Sequence, residues 1–388
     1  MNSSGLDGSD LLRTRQEDED RGTTVRVGLA LGIAFGVCFV TGVLSHLIQH
    51  PPGWFAWPAH PVWLYRFTQG LHVLTGIAAI PLLLVKLGLV YRKLFERPIF
   101  GSGIRIAERA GIAVLVSSAV FELVTGLLNI AHWYPWAFFF PAAHHAVAYV
   151  AIGALLIHIA VKFPIIRRAF GEGDAGGDGG GHSPPVRPDA ATGPSRRTVL
   201  RATSAGVGLA VVAFAGQTVT PLRRLAFLAP RSGTGPQGLP INRTASAARI
   251  GAAATSADYR LVISNGSVRQ MFSVAALESL PQYTVRLPIA CVEGWSASAQ
   301  WTGIRLRDLV AAVGGRPESG ARMVSLERGA YAVADIPGAQ VSDDLTLIAL
   351  LLNGDRLTID HGYPARLIAP GLPGVMQTKW LSRIEART

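Results

Sequence analysis

The stretch PSRRTVLRATSAGVGLAVVAF, residues 194–214, divides the chain into two parts of different composition. It joins two adjacent arginines and a short polar segment to an apolar run of small residues. Segments of this kind usually stand at an N-terminus, yet almost two hundred residues precede this one. The parts before and after it therefore have to be interpreted separately.

The overall composition favours a protein with a membrane portion. Of the 388 residues, 49% are hydrophobic and 16% are charged, which is unusually apolar for a soluble enzyme. The formal net charge is +11, but the arginines cluster at the ends of apolar runs and in linkers, so we expect no nucleic-acid partner. The two cysteines, Cys38 and Cys291, lie in regions of different polarity, which excludes a disulfide scaffold.

The part before the dividing stretch contains four apolar runs, each about 25 residues long and so able to cross a bilayer. Basic residues follow the second and fourth runs, whereas the loops 47–65 and 131–143 lack lysine and arginine and are rich in aromatic residues. Basic loops stay in the cytoplasm and aromatic rings settle at the headgroups. We therefore predict a bacterial cytoplasmic membrane protein with a cytoplasmic N-terminus, its runs lying near 24–48, 67–91, 107–130 and 142–166.

The predicted organisation has five parts. A disordered cytoplasmic tail is followed by an all-α four-helix membrane domain, a flexible Gly/Pro-rich linker, a fifth membrane helix and a mixed α+β extracytoplasmic domain. Short β-rich pieces such as YTVRLPIA and the helical patch WTGIRLRDLVAAVG predict the α+β domain. The corresponding boundaries are 1–23, 24–168, 169–197, 198–220 and 236–388.

Two motifs in the last part carry the chemistry. LPIACVEGWSASAQWTGIRLRDLV places Cys291 at the end of a predicted strand, and NGDRLTIDHGYPARLIAPGLPGVMQTKWLSRIE follows about seventy residues later. Both resemble the sulfite oxidase superfamily of molybdenum enzymes, and the match is closest to the periplasmic methionine sulfoxide reductase branch. The resemblance covers most of 236–388, and it implies a molybdopterin cofactor with Cys291 as the metal ligand. A thiolate suits this metal because molybdenum in such sites favours soft sulfur ligands.

The resemblance also implies how the pterin is held. Arg366 and Lys379 would bind its phosphate, Gly362 and Gly374 would let the backbone approach, and His361 would donate a hydrogen bond. Asn242 and Arg243, in LPINRT, match the family's asparagine-containing entry segment only loosely. The arginine-rich segment that follows the ligand cysteine in animal sulfite oxidases is replaced here by VEGWSAS, which argues against a strongly cationic sulfite pocket.

A cofactor of this kind is inserted in the cytoplasm, so the domain carrying it has to cross the membrane folded. SRRTVLR, residues 195–201, resembles the twin-arginine signal read by the folded-protein translocase. This resemblance explains the internal position of the dividing stretch, and it implies the twin-arginine translocase as a partner.

Histidines in the membrane part are candidate haem ligands. Two imidazoles facing each other across a helix bundle are the usual ligands of haem b, and the second and fourth runs carry histidines at similar depth. The arrangement resembles four-helix haem-b subunits of bacterial respiratory enzymes. A second haem would use a histidine fourteen residues further along the fourth run, about 21 Å away, for which no partner histidine is evident. The candidates are His46, His72, His144, His145 and His158.

These observations predict a membrane-bound molybdopterin oxidoreductase that transfers an oxygen atom outside the cytoplasm and exchanges electrons through haem b with the quinone pool or another carrier. The closest motif match favours reduction of an S- or N-oxide. Two alternatives stay open: a sulfite-type dehydrogenase working in the oxidative direction, and an electron-transfer subunit whose outer domain serves for docking. A transporter would need polar groups near the bilayer midplane, and the sequence offers only Glu122 and Lys86 as clear candidates, which argues against that class.

Overall fold

The computed structural model describes residues 8–95, 103–171, 195–231 and 235–387. Five of its helices are long and apolar enough to cross a membrane. They contain the four runs and the dividing stretch, so the predicted series of five apolar helices is confirmed. Most of the linker expected over 169–197 lies outside the described residues. The helices are α1 (Gly8–Gln49), α2 (Leu64–Leu94), α3 (Gly103–Ile130), α4 (Phe140–Gly171) and α5 (Arg196–Ala215).

Helix α1 begins well before its membrane stretch. It starts at Gly8, so most of the segment 1–23, which we expected to be disordered, is helical from that residue onward. The apolar helix that follows already provides the nucleus, so its extension toward the N-terminus needs no new nucleation.

The chain divides into two compact units. The first, which we call the helical unit, comprises Met1–Val40 with Leu74–Val212. The second comprises Thr41–Val73 with Ala213–Thr388, and we call it the outer unit because it contains the segment predicted to be extracytoplasmic. In the helical unit α3 and α4 pack along each other. Val27 and Ala34 of α1 form a small core with Ala79 and Leu82 of α2.

The outer unit contains two five-stranded sheets. The first has the order β2-β1-β10-β5-β6, in which β1 and β10 are parallel. The second has the order β3-β4-β7-β8, and β9 also pairs with β7. The strands are β1 (Leu261–Asn265), β2 (Val268–Phe272), β3 (Tyr283–Ala290), β4 (Ser296–Arg305), β5 (Ala321–Ser325), β6 (Val333–Ile336), β7 (Leu347–Leu352), β8 (Asp355–Arg356), β9 (Arg366–Ile368) and β10 (Leu381–Ala386), and the short helices are α6 (Val274–Glu278), α7 (Leu306–Ala312) and α8 (Gly338–Val341).

Side-chain patterns explain the central strands. Strand β7 reads LIALLL and is buried along almost its whole length, as expected for a strand covered on both faces. The stretch WTGIRLRDLVAAVG, predicted as a helical patch, is strand up to Arg305 and helix from Leu306. Its first part is strand because Trp301, with none of its surface exposed, pairs with Leu352 in the sheet.

The loop between α1 and α2 is part of the outer unit. We expected the aromatic residues of 47–65 to line the headgroup region, but Trp57 of this loop and Tyr65, in the first turn of α2, are buried and belong to the main apolar core of this unit. The indole nitrogen of Trp57 donates to the carbonyl oxygen of Gly371 over 2.8 Å. Trp54 and Trp63 remain exposed. A buried indole is stable here because its N–H has a protein acceptor.

Candidate active site

Cys291 lies in a tight loop between β3 and β4, where it is 1% exposed. Its backbone N–H donates to Trp295 over 2.9 Å, and its carbonyl accepts from the N–H of Gly294 over 3.0 Å. Gly294 has φ +93°, a conformation that glycine adopts without strain. We call residues 291–296 the Cys291 loop. This turn fixes the thiol in the protein interior.

Three charged side chains influence this thiol. Burial raises the pKa of Cys291 well above its usual range, and the Glu293 carboxylate raises it further, while Arg231 and Lys379 act in the opposite sense. Arg231 Nε lies 3.1 Å from Glu293 Oε2, and the indole of Trp295 also donates to that oxygen over 3.1 Å. A metal ion would replace the thiol proton, since coordination favours the thiolate.

Lys379 connects the second motif with the segment LPINRT, which precedes both motifs. Its ammonium group donates to Asn242 Oδ1 over 3.3 Å, to the carbonyl of Arg243 over 2.5 Å and to the carbonyl of Asp360 over 2.9 Å. Burial, together with the charge of Arg366, lowers the pKa of Lys379 to about 7. A bound phosphate would favour the charged form.

Arg366 is the second cation of the site, and it is buried, whereas Lys379 is half-buried. Its guanidinium donates to the carbonyls of His361 and Gln377 over 2.9 and 3.3 Å and lies 5.0 Å from the ring centroid of Trp301. Burial lowers its pKa to about 9, so it stays charged at neutral pH. Among the described residues its Nε has no hydrogen-bond partner, and the same holds for the buried Trp301 Nε1 and Ser296 Oγ.

The two glycines lie where the backbone runs close to these groups. A Cβ on Gly362, whose φ is +108°, would come within 3.1 Å of the side chains of Arg366 and Lys379. A Cβ on Gly374 would lie 3.2 Å from the carbonyl of Ala290 and 3.5 Å from Cys291 Cα. The glycines therefore allow the second motif to pack against the cations and the Cys291 loop.

His361 has a different hydrogen bond from the expected one. Its Nε2 lies 2.8 Å from the carbonyl of Pro236, to which it can only donate. Burial lowers the pKa of His361 to about 4, so the ring is neutral at pH 7. In this tautomer Nδ1 is an acceptor, and donation to a pterin would require the other tautomer.

The candidate haem ligands are divided between the two units. In the outer unit, His72 Nδ1 lies 3.3 Å from Thr41 Oγ1, and the ring of His46 lies 4.9 Å from that of His50. His145 of the helical unit packs edge-on against Tyr149, and His158 is half-buried in the same unit.

His144 of the helical unit is fixed by two polar groups. Its Nδ1 is 3.1 Å from Glu122 Oε2 and 3.2 Å from Thr125 Oγ1. Two hydrogen-bond partners at one ring nitrogen restrict the orientation of this imidazole.

Comparison with known proteins identifies the outer domain. The family model described as oxidoreductase molybdopterin binding domain matches residues 249–388. The chain is 29% identical over 153 residues to the mitochondrial sulfite oxidase of Drosophila melanogaster, covering 33% of this chain and 27% of that protein. It is 30% identical over 116 residues to the uncharacterized oxidoreductase YuiH of Bacillus subtilis (strain 168), covering 30% and 58%. A solved structure, the sulfane dehydrogenase SoxCD from Paracoccus pantotrophus, matches with 27% identity and a TM-score of 0.31 over 34% of this chain and 38% of that one.

Residues 249–388 are therefore a molybdopterin-binding oxidoreductase domain similar to that of sulfite oxidases. It is joined to an N-terminal region with five helices able to span a membrane. The chain spans 27% of the length of the fly relative and 58% of the Bacillus relative.

The residues present fit an anionic, sulfur-coordinated cofactor. A buried thiol, one buried and one half-buried cation and, among the described residues, several buried donors without a protein partner suit a phosphate-bearing pterin with its metal. Among the described residues, no group of three or more His, Cys, Asp or Glu is arranged to hold a metal ion. A metal at Cys291 would thus take most of its ligands from the cofactor.

Sequence reasoning missed two charged residues of this site. Arg231 precedes the matched domain and stands in no recognisable motif, so its pairing with Glu293 had no sequence signal. Glu293 stands within ACVEGW, but the pattern alone did not show that its carboxylate is buried beside Trp295.

Proposed function

We propose that this chain is a membrane-bound molybdopterin-dependent oxidoreductase that reduces an S- or N-oxide by oxygen-atom transfer outside the cytoplasm. Electrons would reach the site from the quinone pool or another carrier through haem b. The observation that carries the proposal is the buried Cys291 thiol, on which the charge of Lys379 acts, within a molybdopterin-binding domain that also buries Arg366.

The bound cofactor would supply two-electron exchange with an oxygen atom. The protein's own residues bind and orient. Cys291 would ligate the metal, and Lys379 and Arg366 would hold the pterin phosphate by charge-assisted hydrogen bonds. The neutral His361 and the backbone beside Gly362 and Gly374 would line the pterin. Burial of Cys291 and Arg366 excludes water from these contacts.

The charges beside the thiol favour an uncharged substrate. Glu293 is 7% exposed and pairs with Arg231, so this cation is already neutralised near Cys291. A dianion such as sulfite would meet the carboxylate of Glu293 with no further charge gained from Arg231. A neutral sulfoxide or amine oxide does not suffer this repulsion. Oxidation of a sulfite-like substrate is the competing possibility.

Purified full-length protein distinguishes these possibilities. Metal analysis and a reduced optical spectrum test for molybdenum and haem b together. Steady-state assays with neutral S- and N-oxides and a reduced electron donor, and with sulfite and an oxidised acceptor, test the direction. Sulfite turnover without oxide turnover would favour the dehydrogenase, and absence of molybdenum would favour the docking subunit.

The haem proposal rests on the way two imidazoles are fixed. His72 and His144 each have a hydroxyl partner at Nδ1, and His144 also has the Glu122 carboxylate. Imidazoles that bind a metal through one nitrogen are usually held by a hydrogen bond at the other. We propose His72 and either His144 or His145 as the axial ligands of one haem b, with His46 and His158 as candidates for a second.

We expect His72→Ala to abolish the bis-histidine haem b spectrum, because the iron loses an axial ligand. The measurement is the reduced-minus-oxidised optical spectrum and the haem content of the purified protein. His60→Ala is the control, since His60 pairs with Asp343 in the outer unit. An unchanged spectrum in His72→Ala would show that this residue is no ligand.

The export proposal rests on the twin-arginine segment at the start of α5. Arg196 and Arg197 lie in the first turn of the helix, and Ser195 Oγ accepts from the N–H of Thr198 over 3.3 Å. A short apolar helix with small residues suits the folded-protein translocase. We propose that this translocase moves only the α+β domain, residues 236–388, across the membrane.

Replacing Arg196 and Arg197 by lysine is expected to leave helices α1–α4 inserted in the membrane, while residues 236–388 stay in the cytoplasm. The lysines keep the positive charge, so a positive-inside flank would still function. Protease accessibility from outside the cell is the measurement. Replacement of Arg223 and Arg224 by lysine is the control. Normal external digestion of 236–388 in the double variant would contradict the twin-arginine assignment.

A further inference from the structure

The N-terminal part of helix α2 contacts the Cys291 loop directly. The side chain of Gln69 is 6% exposed, and its Nε2 donates to the carbonyl oxygen of Val292 over 3.1 Å. Val292 is the neighbour of the proposed metal ligand, whereas Gln69 stands 223 residues earlier in the chain. A residue of the second apolar helix therefore contacts the backbone directly next to Cys291.

The orientation of the Gln69 amide is set from its other side. Tyr65, one turn earlier on α2, directs its hydroxyl to Gln69 Oε1 over 3.3 Å, and Ser45 of α1 lies 3.0 Å from the same hydroxyl. Tyr65 is 1% exposed, so this chain of hydrogen bonds lies within the protein. With Oε1 accepting from Tyr65, the amide nitrogen faces the carbonyl of Val292.

Three further contacts hold the same loop. A Cβ on Gly294 would lie 2.8 Å from Val73 Cγ2, so the loop packs against α2 one turn beyond Gln69. The Thr218 hydroxyl donates to the carbonyl of Gly294 over 2.5 Å, and the carbonyl of Gln217 accepts from the N–H of Ser296 over 2.8 Å. All these partners lie outside the matched domain 249–388.

We propose that Gln69 is a positioning residue that fixes the Cys291 loop, so that a residue of the second apolar helix completes the active site. The part of the inference that concerns metal geometry rests on the proposed function, because it takes Cys291 as the ligand. The part that concerns the loop stands on the hydrogen bonds alone. A leucine at position 69 would fill the space but remove the hydrogen bond that Gln69 donates to the Val292 carbonyl.

The test compares full-length Gln69→Leu with the wild type and with Gln270→Leu. Gln270 is the matched control, because its amide also donates to a backbone carbonyl, that of Ala312, over 3.0 Å, but on the edge strand β2 of the other sheet. Hydrogen exchange of the 291–296 amides is measured by mass spectrometry. We expect about five- to tenfold faster exchange in Gln69→Leu, the effect of losing one hydrogen bond, and none in Gln270→Leu.

Two functional readouts separate positioning from general stability. We expect Gln69→Leu to lower kcat about tenfold with KM unchanged, the range for a group that supports a metal ligand. We also expect a changed molybdenum X-ray absorption spectrum at equal metal content. Tyr65→Phe, which removes only the hydroxyl bonded to Gln69, serves as a milder variant with the same direction of change, should Gln69→Leu fail to fold.

Unchanged exchange at 291–296 in both Gln69→Leu and Tyr65→Phe would overturn the proposal. So would exchange that rises equally throughout the outer unit, because Gln69 would then act on stability alone. Wild-type protein without molybdenum would refute the proposed function, but the exchange measurement would still decide whether Gln69 holds the loop.

Discussion

Replacing Cys291 by serine is expected to abolish oxygen-atom transfer while leaving the protein folded and exported. Serine nearly conserves the volume of this buried side chain, which is 1% exposed. Its hydroxyl is a harder and far less acidic ligand than a thiol, so the metal would lose its soft anionic ligand. Changes in groups that hydrogen-bond to a metal ligand typically lower activity about 10- to 100-fold. We expect the loss of the ligand itself to lower turnover further.

Three measurements accompany that assay: molybdenum and pterin content, the haem b spectrum, and the exposure of the outer domain to protease. All three are expected to match the wild type, since on the proposed function Lys379 and Arg366 would hold the pterin independently of Cys291. Cys38→Ser is the control, because Cys38 lies in the helical unit, where it accepts from Thr75 Oγ1 over 3.4 Å. Near wild-type turnover in Cys291→Ser would show that this cysteine is only a core residue.

Replacing Lys379 by glutamine is expected to lower the cofactor content of the purified protein about tenfold or more. The change removes a half-buried cation and weakens its bonds to Asn242, Arg243 and Asp360. A hydrogen bond to a charged group contributes about 1.5–3 kcal/mol, which corresponds to that loss of phosphate affinity. The measurement is pterin and molybdenum content per protein, alongside thermal unfolding.

Two variants make this result interpretable. Lys379→Arg keeps the charge, so it should retain more cofactor than Lys379→Gln, although the wider guanidinium must fit beside Gly362. Lys162→Gln removes a lysine that pairs with Glu108 in the helical unit, and it should leave the cofactor unchanged. Full cofactor content in a folded Lys379→Gln variant would show that this ammonium group does not hold the phosphate.

The residues around Lys379 show how far the sequence could predict the site. The run DHGYPAR with the later TKW indicated His361, Gly362, Arg366 and Lys379, because the motif keeps fixed spacing. The loosely matched Asn242 and Arg243 prove to contact the Lys379 ammonium group. No local pattern could predict that contact, since it joins residues more than a hundred positions apart.

The sequence by itself determined the five apolar helices and the type of the outer domain. Hydropathy over about 20 residues and two spaced motifs are local properties, and each constrains its own segment strongly. It also indicated Cys291, because the motif that contains this residue is one continuous stretch of sequence.

The tertiary structure alone decided which segments complete the outer unit. The composition of 47–65 predicts a loop whose aromatic residues lie at the lipid headgroups. In the structure Trp57 of this segment and Tyr65, in the first turn of α2, belong to the core of the outer unit. Gln69 of α2 donates to the Cys291 loop. Arg231 meets Glu293 in the same way, across a long sequence separation. Such contacts depend on which surfaces the folded chain brings together, because a tryptophan or a glutamine has the same local pattern whether its polar atoms meet water, lipid headgroups or a distant backbone carbonyl.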